Sequence, residues 1–329
     1  MTDLRAIGRV VLLAGGVGGA RMAVGLAASL PSAALTVIAN IGDDERFYGL
    51  QVCPDLDTLL YTLSGRVSRK HGWGVEGDTT TALATLSALG APDWMTLGDA
   101  DFGLHIYRSW RLAQGERLTT IMADVAQRMG VGARLLPVCD TPVPTEIQTA
   151  RGWQSFQQWF VQQRSAPKVH GICYRGASSA AVTPEVIAAI QQADAIVIAP
   201  SNPLLSIEPM LALPGMRNAL LASAAVRVAI SPLINGQAVK GPLARLLSDL
   251  SLCGGNLGIA DRYAGLIDGL VIHAGDADDA AVLRQQGLTV LATNTLIAEP
   301  AAARTLATQL FGWLPAVRKN LQQPERRAP

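Results

Sequence analysis

A short apolar run near the start of the chain, Val10–Ala14, ends directly in a glycine-rich turn at residues 15–19. A run of this length without a polar residue is typical of a strand that is buried on both faces of a parallel sheet. A helical pattern follows over residues 20–30, and a second apolar run at residues 35–41 indicates the next strand. We therefore predict an α/β fold with a doubly wound, mostly parallel Rossmann-like sheet.

The rest of the chain continues the alternation of strands and helices. The predicted helices lie at residues 55–64, 79–89, 118–129, 184–193 and 301–314, and the predicted strands at 135–138, 195–199, 226–230, 270–273 and 289–292. Residues from about 56 to 130 thus form a helix-rich insertion, and strand candidates at 145–148 and 169–174 suggest a possible subdomain at about 141–180. The expected organisation is a single α/β domain over residues 1–317 and a polar tail over 318–329.

Composition excludes several classes of function. The formal net charge is +1, from 27 basic and 26 acidic residues, so we expect no nucleic-acid partner. The sequence has no apolar stretch of about 18 residues and no cleavable signal pattern, so we expect a cytoplasmic protein with no membrane contact. The cysteines lack metal-site spacing and are expected to be reduced and mostly buried: Cys53, Cys139, Cys173 and Cys253.

The glycine-rich turn is a candidate phosphate site. Glycines let the backbone approach an anion, and the following helix offers free N–H groups and the positive end of its dipole. Arg21 adds a cation, and the candidate contacts are Gly15, Gly16, Gly18 and Gly19. A tight turn that merely requires glycines is the alternative. The turn matches neither the dinucleotide fingerprint, because Arg21 replaces the last small residue, nor a Walker loop, because no Lys-Ser/Thr pair follows.

Acidic residues form a second candidate site. Asp43 and Asp44 follow the second predicted strand, and Asp55 and Asp57 begin the next helix. Clustered carboxylates repel one another unless a cation neutralises them, and Mg²⁺ is the usual partner beside a phosphate. The alternative is structural, since acids stabilise the first turn of a helix and aspartates form turns.

A third cluster holds Asp99 and Asp101, followed by His105 and Arg108. If the segment from Phe102 is helical, His105 and Arg108 lie on one face of it. The combination makes Asp99, His105 and Arg108 candidates for binding substrate.

Eight segments together resemble the 2-phospho-L-lactate transferase family, which includes the phosphoenolpyruvate transferases of coenzyme F420 biosynthesis. They occur in the family's order, and the PDLDT and PSNP blocks are the most specific. The segments are residues 14–21 (AGGVGGAR), 40–44 (NIGDD), 53–61 (CPDLDTLLY), 72–74 (GWG), 97–99 (LGD) with Asp101, His105 and Arg108, 199–203 (APSNP), 213–217 (LPGMR) and 231–234 (SPLI).

The resemblance implies a Mg²⁺-dependent phosphotransferase of the class that acts on substituted phosphate groups. Such an enzyme moves a phosphorylated small acid (phosphoenolpyruvate, 2-phospholactate or 3-phosphoglycerate) from its guanosine-diphosphate derivative to the ribityl hydroxyl of the deazaflavin Fo, and GMP leaves. The expected partners are therefore these small molecules, and the family suggests a homodimer.

The same resemblance assigns roles to residues. It implies Mg²⁺ ligands at Asp43, Asp44, Asp55 and Asp57 and nucleotide contacts at the glycine-rich turn, Ser201 and Asn202. Either Asp57 or Asp44 is expected to orient or deprotonate the hydroxyl. On this view Asp57→Asn lowers turnover far more than stability.

Two other functions compete with this one. A related family of nucleotide-sugar-binding regulators, the gluconeogenesis factors, shares the glycine-rich start and would bind a ligand without turnover. The PDLD block argues against it. A nicotinamide dehydrogenase would need an acid after the second strand to hold the ribose, but the poor glycine fingerprint makes this alternative weaker.

Overall fold

The computed structural model describes residues 8–239 and 241–322 of the chain. The strands are β1 (Val10–Ala14), β2 (Leu35–Ala39), β3 (Glu45–Phe47), β4 (Leu50–Val52), β5 (Arg134–Pro137), β6 (Thr145–Thr149), β7 (Gly152–Ser155), β8 (Gly171–Tyr174), β9 (Ala195–Ile198), β10 (Val226–Ile230), β11 (Leu233–Ile234), β12 (Gln237–Ala238), β13 (Gly269–His273) and β14 (Thr289–Thr293).

Helices connect these strands. The α-helices are α1 (Gly16–Ala27), α2 (Pro54–Leu63), α3 (Thr81–Ala88), α4 (Asp99–Ala113), α5 (Leu118–Arg128), α6 (Pro184–Gln191), α7 (Glu208–Leu211), α8 (Met216–Ala222), α9 (Leu243–Asp249), α10 (Gly255–Arg262), α11 (Asp279–Gln285) and α12 (Pro300–Leu321). Two further segments, Gln158–Gln162 and Pro203–Ile207, form π-helical turns.

The main sheet has seven strands in the order β14-β13-β10-β9-β1-β2-β5, and every neighbouring pair is parallel. Its central strands are apolar and buried on both faces, as in β1, where every residue is buried. The chain adds strands on one side of β1 first and then on the other, starting with β9. This arrangement confirms the predicted doubly wound α/β sheet.

The helix-rich insertion is also confirmed, because α2 to α5 lie between β2 and β5. The β3–β4 hairpin at the start of this segment and the helices α7 to α11 were not predicted. A separate three-stranded antiparallel sheet, in the order β7-β6-β8, falls within the range predicted as a possible subdomain.

Three sequence predictions need correction or relocation. Helix α1 begins at Gly16, inside the glycine run, and not at residue 20. Helix α12 continues to Leu321, so the start of the predicted tail at Arg318 lies in its last turn, and residues 323–329 fall outside the described residues. Cys173 and Cys253 are exposed, so only half of the cysteines are buried as expected.

Within the described ranges, no helix combines the length and apolar character needed to cross a bilayer.

Candidate functional site

A cavity of about 750 Å³ lies beside the point where the strand order reverses. Its walls come from segments far apart in sequence, including the turn after β1, the start of α2, the start of α4 and the loops after β9, β10 and β14. Because the carboxyl ends of parallel strands share one edge of the sheet, these loops meet there. The volume suits a cofactor-sized ligand or two smaller ones.

The turn after β1 presents backbone donors to the cavity. Gly15 precedes α1 without a side-chain cap, and the first turn of the helix contains no acid. The N–H of Gly16 donates to Asp55 Oδ1 at 2.7 Å. The first N–H groups of any α-helix lack intrahelical acceptors, which leaves those of Val17 and Gly18 at the cavity wall. This is the backbone arrangement that binds anions.

The glycines of this turn also serve close packing. A Cβ on Gly18 would lie 2.5 Å from the carbonyl oxygen of Pro200, so only glycine allows the turns after β1 and β9 to approach this closely. Glycine is favoured at Gly16 for a different reason, because its φ of +65° lies in the left-handed region that other residues rarely adopt. Gly19 is buried and does not line the cavity. The phosphate and tight-turn interpretations are therefore both consistent with the geometry.

Ser201 and Asn202 stabilise the loops around this turn. The Ser201 hydroxyl donates to the carbonyl oxygen of Gly15 at 2.7 Å. Asn202 Oδ1 accepts from the N–H groups of Leu204 and Leu205 and thereby caps the π-helical turn that follows. Both residues line the cavity, but their side chains are hydrogen-bonded to backbone groups of the protein itself.

Arg21 supplies positive charge at the same end of the cavity. It lines the wall on the second turn of α1. Among the described residues its guanidinium forms no ion pair with a carboxylate, in contrast to Arg108 and Arg111 in the insertion. A cation without a protein counter-ion beside a helix N-terminus is suited to an anionic ligand.

Asp43 and Asp55 form a pair of neighbouring carboxylates on the cavity wall. Asn40 Nδ2 donates to both, at 3.0 Å to Asp43 Oδ1 and 2.9 Å to Asp55 Oδ2. Burial raises the pKa of Asp55 to about 6, and hydrogen bonds from Asn40 and Gly16 partly oppose the shift. Burial and the nearby charge of Asp55 also raise the pKa of Asp43.

Asp44 and Asp57 lie in a different environment, next to Arg108. The buried guanidinium of Arg108 binds both carboxylate oxygens of Asp57. Asp57 still lines the cavity, but Asp44 does not. Burial raises the pKa of Asp44, whose Oδ1 atom has no hydrogen-bond partner within residues 8–239 and 241–322. The four predicted metal ligands are thus divided into two pairs.

This division decides where a divalent cation fits. In the part of the chain that the structure describes, no group of three or more His, Cys, Asp or Glu side chains is arranged to hold a metal. Mg²⁺ does not need such a cage, because it is usually bound by one or two carboxylates together with substrate phosphates and water. The Asp43–Asp55 pair, whose charges repel each other at the cavity wall, fits this requirement. Asp57 fits it poorly because Arg108 already neutralises its charge.

The residues of the third predicted cluster separate in the structure. Asp99 accepts hydrogen bonds from Thr79, Thr81 and Ala82 at the start of α3 and does not line the cavity. His105 does line the cavity, although it is only 1% exposed. Its Nδ1 lies 3.6 Å from Asp57 Oδ2, and neither ring nitrogen has a hydrogen-bond partner in the described part of the chain. Burial lowers the pKa of His105 to about 4, so the ring is neutral at pH 7.

Several cavity residues were not among the candidate site residues predicted from the sequence. Asp101 lines the cavity, and burial raises its pKa to about 6. His71 and Trp73 also line it and stack on each other with ring centroids 5.3 Å apart. The Gly-Trp-Gly segment was the available signal for Trp73, because an aromatic residue between glycines is easily exposed. Asn40 gave no signal, since its bridging role depends on the fold.

Comparison with known proteins gives consistent matches over most of the chain. The family model described as 2-phospho-L-lactate transferase CofD matches residues 10–305. A phosphoenolpyruvate transferase from Streptomyces coelicolor is 35% identical, covering 94% of this chain and 99% of that protein. A 2-phospho-L-lactate transferase from Methanosarcina mazei is 34% identical, covering 91% of this chain and 98% of that protein.

Solved structures support the fold independently. A crystal structure of a UPF0052 family protein from Bacillus halodurans superposes with a TM-score of 0.54 at 17% identity, covering 91% of this chain and 90% of that one. At this identity the match concerns the fold alone.

Proposed function

We propose a specific reaction for this chain, which belongs to the 2-phospho-L-lactate transferase CofD family and is a CofD-type transferase of coenzyme F420 biosynthesis. The protein transfers a phosphorylated small acid from its guanosine-diphosphate derivative to the terminal ribityl hydroxyl of Fo, and GMP is released. The observation that carries this proposal is the meeting, at one end of the cavity, of the glycine-rich N-terminus of α1, of Arg21, which forms no ion pair with a described carboxylate, and of the Asp43–Asp55 pair.

Transfer of a phosphoryl group depends mainly on neutralising charge and positioning the reactants. The N–H groups of Val17 and Gly18 and the guanidinium of Arg21 would bind phosphate oxygens of the donor. Asp43 and Asp55 would hold Mg²⁺ against the diphosphate. When bound, the ion would neutralise the charge that develops on the phosphate oxygens.

The acceptor needs a different surface. Fo carries a flat ring system, and aromatic side chains with exposed faces stack on such rings. Trp73 is 44% exposed and stacks with His71 at the cavity wall, which supports an acceptor position on this side. The carboxylated acid of the donor belongs to the class of phosphoenolpyruvate, 2-phospholactate and 3-phosphoglycerate.

A direct assay tests the proposal. Purified protein is incubated with Fo, Mg²⁺ and each guanylated donor in turn, and GMP and the mass of the Fo adduct are measured. We expect stoichiometric GMP release and an adduct carrying one phosphorylated acid. Nucleotide binding without GMP release from any donor would instead favour the non-catalytic regulator, and tight NAD binding would favour the dehydrogenase.

A further inference from the structure

Four carboxylates line the cavity in the described part of the chain: Asp43, Asp55, Asp57 and Asp101. Asp43 and Asp55 share the amide of Asn40, and Asp57 is bound by Arg108. Asp101 differs from the other three because no ion pair joins it to a described basic residue and no side-chain amide holds it; the N–H of Gly98 donates to it at 3.4 Å, and the Tyr61 hydroxyl lies beside it. Among the described residues, its carboxylate is therefore free of the ion pair and the amide hydrogen bonds that hold the other three.

Asp101 is held close to the predicted phosphate end by the turn at residues 68–77. Gly74 packs over Asp101, since a Cβ at this glycine would lie 3.9 Å from Asp101 Oδ2. Gly72, two residues earlier, packs on Val17 of the turn after β1. One short turn, which also carries Trp73, therefore contacts both Asp101 and the helix N-terminus proposed to bind phosphate.

His105 provides a second, independent sign of a ligand at this position. It follows Asp101 by one turn of α4, so both side chains lie on the same face of the helix. Leaving a buried polar group unpaired is costly, and both ring nitrogens of His105 lack a hydrogen-bond partner among the described residues at the cavity wall. A ligand group with hydrogen-bonding capacity would satisfy them.

We propose that Asp101 is the general base that accepts the proton of the acceptor hydroxyl, with His105 hydrogen-bonded to the same ribityl end of the acceptor. This inference rests on the proposed function. In the step, the hydroxyl oxygen forms a bond to the phosphorus that carries the acid. The bond from that phosphorus to the oxygen bridging it to GMP breaks, the bonding electrons leave with GMP, and the proton passes to the Asp101 carboxylate.

The local environment suits this role. Burial raises the pKa of Asp101 to about 6, which brings it closer to neutral pH than that of an ordinary aspartate. A base is most effective when its pKa lies near the working pH, while it is still ionised there. Both carboxylate oxygens of Asp57, by contrast, are already bound by the guanidinium of Arg108.

The test is the single-turnover rate of Asp101→Asn with donor and Mg²⁺ bound and Fo saturating. We expect the rate to fall roughly 10²–10⁴-fold, the usual contribution of a positioned base, with little change in the dissociation constants of donor and Fo. Asp261→Asn, the same change at an exposed position on α10, is the matched control and should react like the wild type.

The outcomes separate this proposal from the function on which it rests. If the wild type releases no GMP, the proposed function fails. If the wild type turns over and Asp101→Asn binds both ligands and reacts within tenfold of it, Asp101 is not the base. If Asp101→Asn does not fold, a measurement on the wild type alone still tests the proposal. The wild-type single-turnover rate should be lower in heavy water, and equal rates in the two solvents would overturn the proposal.

Discussion

Arg108 determines how the neighbouring aspartates can act. Its side chain is fully buried, so its charge requires a partner, and Asp57 provides both carboxylate oxygens. An ion pair taken out of water contributes little net stability, but the loss of one partner leaves the other as an uncompensated buried charge. The sequence interpretation treated Asp57 as a metal ligand and catalytic group and Arg108 as a substrate contact. The structure favours a role for the pair in supporting the cavity wall.

We therefore predict that Asp57→Asn lowers the free energy of unfolding by roughly 3–5 kcal/mol, because the charge of Arg108 stays buried without its counter-ion. This reverses the expectation from the sequence that the variant would lose turnover far more than stability. Urea unfolding at pH 7 measures the change.

The matched control for Asp57→Asn is Glu208→Gln, which breaks the partly exposed pair with Arg217. Its cost should be below about 1 kcal/mol. A loss for Asp57→Asn as small as that of the control would contradict a structural role for the buried pair.

His105 makes a separate contribution to the pH dependence of stability. Its folded pKa, lowered by burial to about 4, is below the value of 6.5 for an exposed histidine. The unfolded chain therefore binds a proton that the folded chain does not between these two pH values, and the stability falls as the pH drops through this window. Above pH 6.5 the contribution is fully present.

We predict that the wild type loses on the order of 2–3 kcal/mol relative to His105→Gln between pH 7 and pH 4, since each pKa unit corresponds to about 1.4 kcal/mol. The difference between the two proteins isolates the contribution of His105 from those of the other groups of the protein, including the nearby charges of Asp57 and Arg108. Parallel stability curves from urea unfolding would mean that His105 is not held neutral.

The start of helix α4 explains which site residues could be predicted. Since the helix begins at Asp99, residues Asp101, His105 and Arg108 fall on one buried face at spacings of four and three, and Asp99 points elsewhere. The sequence interpretation placed both aspartates in one cluster with His105 and Arg108, considered a helix only from Phe102, and took Asp99 rather than Asp101 as a candidate for binding substrate. The helix start at Asp99 separates the two aspartates: Asp99 accepts N–H groups at the start of α3, and Asp101 lines the cavity.

Strands were easier to predict than the elements between them. The central strands β1 and β9 are uninterrupted apolar runs, and the other strands of the buried sheet are mainly apolar, so the sequence pattern marks them clearly. The β3–β4 hairpin has only three residues in each strand and includes Glu45, Arg46 and Gln51, so its pairing comes from tertiary context and leaves no apolar pattern. The same limit applies to Asn40, whose two carboxylate partners are brought together by the sheet.

The contact between the turns after β1 and β9 gives a test of this arrangement. We predict that Gly18→Ala weakens donor binding and lowers stability by roughly 1–3 kcal/mol, because a Cβ would lie 2.5 Å from the Pro200 carbonyl oxygen and force the turns apart. Gly103→Ala is the matched control: this glycine lies in the exposed middle of α4 with no atom near the added Cβ, so it should stabilise by up to about 1 kcal/mol. Calorimetry measures the change in donor binding, and urea unfolding measures the change in stability.

The cavity joins the two halves of the doubly wound sheet. Its lining includes residues near the start of the chain, such as Gly16, and residues near its end, such as Ile297. The net charge of the whole molecule is only +1, so attraction of an anionic donor depends on local groups and not on a general positive field. Carboxylates at the cavity wall would oppose a diphosphate unless a cation bridges them.

This conflict of charges leads to a prediction about ligand-dependent stability. GDP alone should raise the unfolding midpoint through the helix N-terminus and Arg21, and Mg²⁺ should add a further increment by bridging the diphosphate to Asp43 and Asp55. A ligand at 100 times its dissociation constant adds about 2.7 kcal/mol. We predict that Asp43→Asn, measured by thermal unfolding with GDP in the presence and absence of Mg²⁺, keeps the GDP increment and loses most of the Mg²⁺ increment, whereas Asp261→Asn keeps both. An undiminished Mg²⁺ increment in Asp43→Asn would show that the ion binds elsewhere, because a bridging ion cannot be indifferent to the loss of one of two carboxylates.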